Sequence, residues 1–250
     1  MDVFGSNPYA IGLKPDIKIN ANNRHVSRKT EIKDSFYMTS PLKLCAQPAI
    51  EKMIAQSPEV RQILSENNIP ARLNMQELEN LINGHAKETA EISAGIARNL
   101  PPALRQQVDM YALKEGAILH DFGKVLIPPE ILNKPNVLNS HEHKIMDLHS
   151  ELGYQLLKNT SVNDEVLKLI RYHHNPFDTM PDINLQILNL ADKYSALTEK
   201  RVYKDAFSPK SALTILYAEV KNGKINPAIY NALVMSETAK ELNLKAKHIM

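Results

Sequence analysis

The 250-residue chain contains a single cysteine, Cys45, and no tryptophan. A lone thiol excludes an internal disulfide framework and any site built from several thiolates, so Cys45 reads as a small structural residue. With no tryptophan and only 6% aromatic residues, stacking platforms are scarce. An excess of either charge is also missing. The 30 Lys and Arg stand against 28 Asp and Glu, which argues against a surface that holds long nucleic acid by charge and leaves room for a local basic pocket around a small phosphate ligand. No stretch approaches the roughly 18–20 apolar residues of a membrane span. The opening residues "MDVFGSNPYAIGLKPDIKIN" lack the charged-then-apolar plan of a secretory signal, and the expectation is a cytoplasmic protein.

The 43% of residues that are hydrophobic fall largely at helical spacing. Residues 1–40 are the exception: polar, rich in Asn, Lys and Ser and without a sustained period, they read as a flexible arm open to a protein partner. Residues 41–73 carry two short helical patterns in "PAIEKMIAQSPEVRQILSENNIP". The second opens with Ser57 as N-cap and Pro58 at the first helical position, and the two suit an accessory hairpin. Residues 74–250 hold seven apolar patterns spaced by three and four, interrupted by Pro, Asn, Gly and Ser. No alternating strand pattern competes. The expected fold is all-α, a bundle of about seven helices with an N-terminal extension.

Within "GAILHDFGKVLIPPEILNKP", an apolar helical run ends on adjacent His120 and Asp121. A buried imidazole or carboxylate costs several kcal/mol unless it finds a partner. The same problem recurs at His85 in "NGHAKETAEI", His149 in "MDLHSELGYQLL", His173 and His174 at the end of "LKLIRYHH", and Asp192 inside "ILNLADKYSAL". Each has an ordinary explanation when taken singly: His85 as a cap, His149 as a satisfied core residue, Asp192 paired with Lys193 or Arg201 at a surface. His141 and His143 in the polar "NSHEHK" read as solvated, and His25 and His248 lie near the ends of the chain. Together, five core-directed histidines and two aspartates on separate helices of one bundle point to a metal site. Imidazole and carboxylate without thiolate suit Fe, Mn, Zn, Ni or Co rather than a structural zinc knot. Seven ligands exceed the needs of one ion with an open position. Two ions sharing a carboxylate fit the count, with Asp121 as the natural bridge.

In these stretches the chain resembles the HD superfamily of metal-dependent phosphohydrolases, and more closely its HD-GYP branch. The similarity lies in "LHDFGKVLIPPEILNKPNVL", "HSELGYQLL", "YHHN", "ILNLADKYSALTEKRVYK" and "GHAKETAEIS", and covers about residues 76–235. The resemblance implies an HD-domain helical bundle and metal ligation by His85, His120, Asp121, His149, His173, His174 and Asp192. It implies catalytic roles for Asp121 and Lys124, and substrate-phosphate contacts for Lys124, Arg201 and Lys204. The implied cofactor is a pair of divalent transition-metal ions, with Fe or Mn foremost and Zn, Ni or Co as alternatives. The implied substrate is a small phosphate compound, a cyclic dinucleotide or another nucleotide phosphate.

Two departures refine this expectation. Asn175 follows His174 where the branch has Glu, and "HHNPFDTMPDINLQ" is short and lacks the Gly-Tyr-Pro loop that helps shape the cyclic di-GMP pocket in relatives. Cyclic di-GMP is therefore expected to be at best a poor substrate. Leu81 stands where members with a third metal carry Glu, which sets the expected count at two. Two further readings remain open from sequence: diiron oxygen chemistry at the same site, and a non-catalytic module that binds a nucleotide or a partner.

Overall fold

The computed structural model describes residues 46–175, 181–199 and 206–247. The arm at residues 1–40, Arg201, Lys204 and most of the segment between Asn175 and Pro181 lie outside the described residues.

Helix starts follow the short polar side chains that can accept from a free backbone N–H. Helices α1 (Gln47–Gln56) and α2 (Pro58–Glu66) form the extension, and the Ser57 hydroxyl accepts from the Val60 amide as the sequence predicts. Asn74 caps α3 (Met75–Asn83), which is followed by α4 (His85–Asn99) and the single turn α5 (Pro102–Arg105). Asp109 accepts from the Tyr111 and Ala112 amides and starts α6 (Met110–Leu119). A 3-10 turn at Phe122–Leu126 and the short α7 (Pro129–Leu132) lead to α8 (Ser140–Leu157), opened by a capping box between Asn139 and Glu142. Asn163, Asp182 and Ser208 then cap α9 (Asp164–Tyr172), α10 (Ile183–Thr198) and α11 (Pro209–Lys221), and α12 spans Pro227–Lys247.

The described residues thus hold twelve α-helices and one 3-10 turn; ten of the helices lie from residue 74 onward, where seven are expected. The first predicted segment is two helices, because Gly84 (φ −130°, ψ −116°) leaves the helical region and divides α3 from α4. The proline pairs of "PPALR" and "PPEIL" add the four-residue turns α5 and α7. No strand occurs among the described residues, and none of their helices is long and apolar enough to cross a membrane.

Helix α6 lies among α4, α9 and α10, and α12 covers the far side of α4. Leu113, Leu119, Leu126, Leu152, Leu169, Ile170 and Ile187 fill the space between them without solvent contact. The extension packs on α8, and its Ile50, Val60 and Leu64 join the same apolar core.

One close approach places the functional segments. A Cβ on Gly123 would stand 1.9 Å from the His149 carbonyl oxygen and 2.5 Å from the Gly153 nitrogen, so only glycine lets the 3-10 turn rest on the α8 backbone. Gly153 faces it from α8, where an added Cβ would reach 3.1 Å from the Gly123 nitrogen. This contact brings His149 beside Asp121. Gly123→Ala is expected to force the two backbones apart, lowering stability by about 1–3 kcal/mol as other overpacked sites do, and to weaken metal retention. Denaturant melts of chelator-treated protein and metal analysis check the two effects separately.

Candidate metal centre

Three of the histidines are aimed by a local device. His120 directly follows α6, His149 lies inside α8 and His173 directly follows α9; each Nδ1–H donates to the carbonyl three residues back, at Ala117 (2.8 Å), Met146 (2.6 Å) and Ile170 (2.8 Å). A carbonyl can only accept, so Nδ1 carries a proton in each ring and Nε2 is the nitrogen left to face the centre, the arrangement that imidazole ligands of metals use. Asn189 of α10 donates to the His173 carbonyl at 2.6 Å and ties the His173–His174 turn in place.

The potential ligand atoms, imidazole nitrogens and carboxylate oxygens, converge in two sets, one of His149, His173 and His174 and the other of His85, His120, Asp121 and Asp192. Within each set the ligand atoms lie within 4.8 Å of one another. In the first, His149 Nε2 lies 3.2 Å from His173 Nε2 and 3.1 Å from His174 Nε2. His149 and His173 both carry the proton on Nδ1, so their facing lone pairs cannot satisfy each other; a cation between them can. Burial, followed by the neighbouring imidazole charges, pulls the His149 and His173 pKa values down to about 3, so both rings are neutral and ready to coordinate. His173 is fully buried, while His174 is exposed.

The second set has a different balance. His85 Nε2 lies 3.1 Å from Asp192 Oδ1 and 3.8 Å from Asp121 Oδ2; His120 Nε2 lies 3.3 Å from Asp121 Oδ2 and 3.6 Å from Asp192 Oδ1. Burial opposes charge on His85, but Asp192 and Glu199 outweigh it and raise the pKa to about 9. For His120 the two aspartates likewise outweigh burial and raise it to about 10. In return, His120 and Lys124 hold the Asp121 carboxyl well below the usual range against burial, and His120 and His85 do the same for Asp192. His120 Nε2 is fully buried yet has no hydrogen-bond partner. That orphaned atom, together with the donor set, fits a divalent cation of the transition series.

Asp121 faces both sets: its Oδ1 lies 3.4 Å from His149 Nε2 and its Oδ2 points to His120. Lys124 Nζ donates to the same Oδ2 at 2.6 Å. Burial works against the lysine charge, but Asp121, Asp192 and Glu77 raise its pKa above the ordinary value.

All seven histidines and aspartates expected as ligands are therefore brought together, while Arg201 and Lys204 lie outside the described residues. His141 and His143 are exposed, and Leu81 is buried in the core. Lys193, offered as a surface partner of Asp192, instead donates to Glu219 at 2.7 Å. Sequence reasoning missed Asn189, Ser195, Glu199 and Glu77. Glu77 is near enough that Lys124 and His85 favour its charge while Asp121 and, above all, burial oppose it. Its position three residues after the Asn74 cap looks like ordinary helix-end chemistry, which hid it. Ser195 and Glu199 carried a signal in their spacing from Asp192, three residues along the same helix and seven, at its C-cap.

Residues 82–197, which include the His120-Asp121 pair, match the HD domain family. Among curated proteins, the chain is 26% identical over 160 residues to the 3'3'-cGAMP-specific phosphodiesterase 1 of Vibrio cholerae, which covers 60% of this chain and 36% of that protein. It is 32% identical over 142 residues to the cyclic di-GMP phosphodiesterase response regulator of Xanthomonas campestris, covering 52% of this chain and 37% of the relative. The chain thus spans little more than a third of the length of these relatives. The solved HD domain of a Listeria monocytogenes phosphodiesterase aligns with 80% of this chain and 100% of its own, at 14% identity and a TM-score of 0.48.

Proposed function

We propose that the two ligand sets hold a pair of divalent transition-metal ions bridged by Asp121, and that the chain is a phosphohydrolase acting on a phosphodiester of a cyclic dinucleotide or a smaller nucleotide phosphate. The observation that carries this reading is the placement of Asp121, with one oxygen toward each set. The HD domain and the phosphodiesterase names of the two curated relatives support it. Iron or manganese suits the histidine-rich donors best, with zinc, nickel and cobalt as alternatives. Two such ions, when bound, supply Lewis acidity that lowers the pKa of water and neutralises phosphate charge.

The residues divide that work. His85, His120 and Asp192 complete one shell, and His149, His173 and His174 the other. Lys124, held at Asp121 Oδ2, offers its ammonium to a phosphate oxygen or to the leaving group. Arg201 and Lys204 are the further candidates for contacts to substrate phosphates, as the resemblance of the sequence implies. His174, the exposed member of its set, marks the side open to solvent.

Purified protein grown with added iron or manganese should carry close to two ions per chain and hydrolyse a generic phosphodiester. Protein that holds at most trace metal would overturn the reading, and oxygen consumption by a reduced diiron form would favour the oxidative alternative. Cyclic di-GMP should be a poorer substrate than a linear or different cyclic nucleotide, since the sequence lacks the Gly-Tyr-Pro loop and with it polar contacts that select among ligands. Side-by-side kcat/KM values for cyclic di-GMP, 3'3'-cGAMP and linear dinucleotides decide this, and a clear preference for cyclic di-GMP would refute it.

Metal uptake should depend on pH differently at the two sets. Metal and proton compete for the same nitrogens. His149 and His173, with pKa values of about 3, have no proton to lose near neutrality, whereas His85 and His120, at about 9 and 10, do. Occupation of the His149 set should therefore be nearly flat between pH 6 and 9, while affinity at the His85 set rises steeply with pH across that window. Chelator-competition titrations at several pH values measure both, and two parallel pH dependences would contradict the assignment.

A further inference from the structure

His85 is held differently from the other anchored histidines. It is the first residue of α4, just after the break at Gly84, whereas His120, His149 and His173 each have a helical turn behind them whose carbonyl takes the Nδ1 proton. The His85 Nδ1 instead meets two side chains, Ser195 Oγ at 3.0 Å and Glu199 Oε2 at 3.4 Å. Both come from the C-terminal half of α10 or its first residue beyond, on the face that also carries Asp192. Asp192 Oδ1 stands 3.1 Å from the opposite nitrogen of the same ring. The C-terminal end of α10 and the residue that caps it thus grip His85 on both sides, with Asp192 on Nε2 and a pair of anchors on Nδ1.

The two anchors are not equivalent. A hydroxyl can donate or accept, so Ser195 alone is compatible with either neutral tautomer of His85; a carboxylate only accepts. If Ser195 donated to Nδ1, the ring proton would move to Nε2 and block coordination. We propose that Glu199 is a positioning residue: it holds the proton on Nδ1 of His85, keeps the Nε2 lone pair turned to the centre, and thereby governs the affinity of one of the two metal positions without touching the ion. Ser195, fully buried, adds the steric and hydrogen-bonding wall that fixes the ring plane. This rests on the dinuclear reading above.

The test uses the full chain, stripped with chelator and titrated with zinc against a chromophoric chelator. Glu199→Ala should weaken one of the two zinc ions by about 10- to 100-fold, the usual effect of removing an outer partner of a histidine ligand, and leave the other as in the wild type. Glu199→Gln keeps an acceptor oxygen and should recover most of the loss. Ser195→Ala should cost less than Glu199→Ala. The proposal is overturned if Glu199→Ala binds both ions as tightly as the wild type, if Glu199→Gln is as weak as Glu199→Ala, or if both ions weaken equally in step with a lower melting temperature of the metal-free protein. Wild-type protein that takes up no zinc would remove the dinuclear reading itself, a result distinct from any of these.

Discussion

Asp121→Ala is expected to empty both metal positions at once. Every other candidate ligand belongs to a single set, but Asp121 presents Oδ1 to His149 at 3.4 Å and Oδ2 to His120 at 3.3 Å. Its removal also leaves His85 and His120 with only Asp192 as an anionic neighbour among the ligands, so the second set loses charge as well as a donor. The loss of metal affinity should exceed the roughly 10–100-fold typical of outer-shell partners, and phosphodiester turnover should fall to background. Metal analysis after gel filtration reads the first effect and a chromogenic phosphodiester the second. His141→Ala, at an exposed position on α8, should leave both unchanged. Retention of one ion by Asp121→Ala would show that the two sets are independent and that the carboxylate does not bridge them.

Lys124→Ala should separate metal binding from catalysis. The ammonium lies 2.6 Å from Asp121 Oδ2, the oxygen that faces the His85 and His120 set, so in the metal-free protein it competes with an ion for that atom. Removing it should leave metal content unchanged or slightly tighter. The phosphate, however, would lose a donor already placed at the site, and loss of one such preorganised donor costs about 100- to 1000-fold in kcat. Steady-state kinetics and metal content on the same preparation decide the matter. Parallel loss of metal and activity would make Lys124 a structural partner of Asp121 instead.

Much of this was legible in the sequence for a definite reason. Apolar spacing of three and four, the cap at Ser57 and the proline breaks are local features, and helix formation is governed by residues within a turn of one another. The conflict between polar residue type and apolar surroundings at His120, Asp121 and Asp192 was likewise visible, because burial could be inferred from the helical period alone. The division of α3 from α4 was less legible: Gly84 is tolerated in a helical pattern, and only its backbone conformation shows that the helix stops there.

The sequence by itself determined the helices, the candidate ligands and even the orientation of His120, His149 and His173, since each Nδ1 is held by a carbonyl only three residues away. Tertiary structure alone decided how those ligands divide into two sets and what supports them. His85 meets Asp192 across 107 residues and Ser195 across 110, and His149 reaches Asp121 because two glycines let a turn and a helix touch backbone to backbone. Such contacts depend on the angle and distance at which helices pack. Those are set by the whole core and by shape complementarity at a few positions, and no local pattern of residues encodes them.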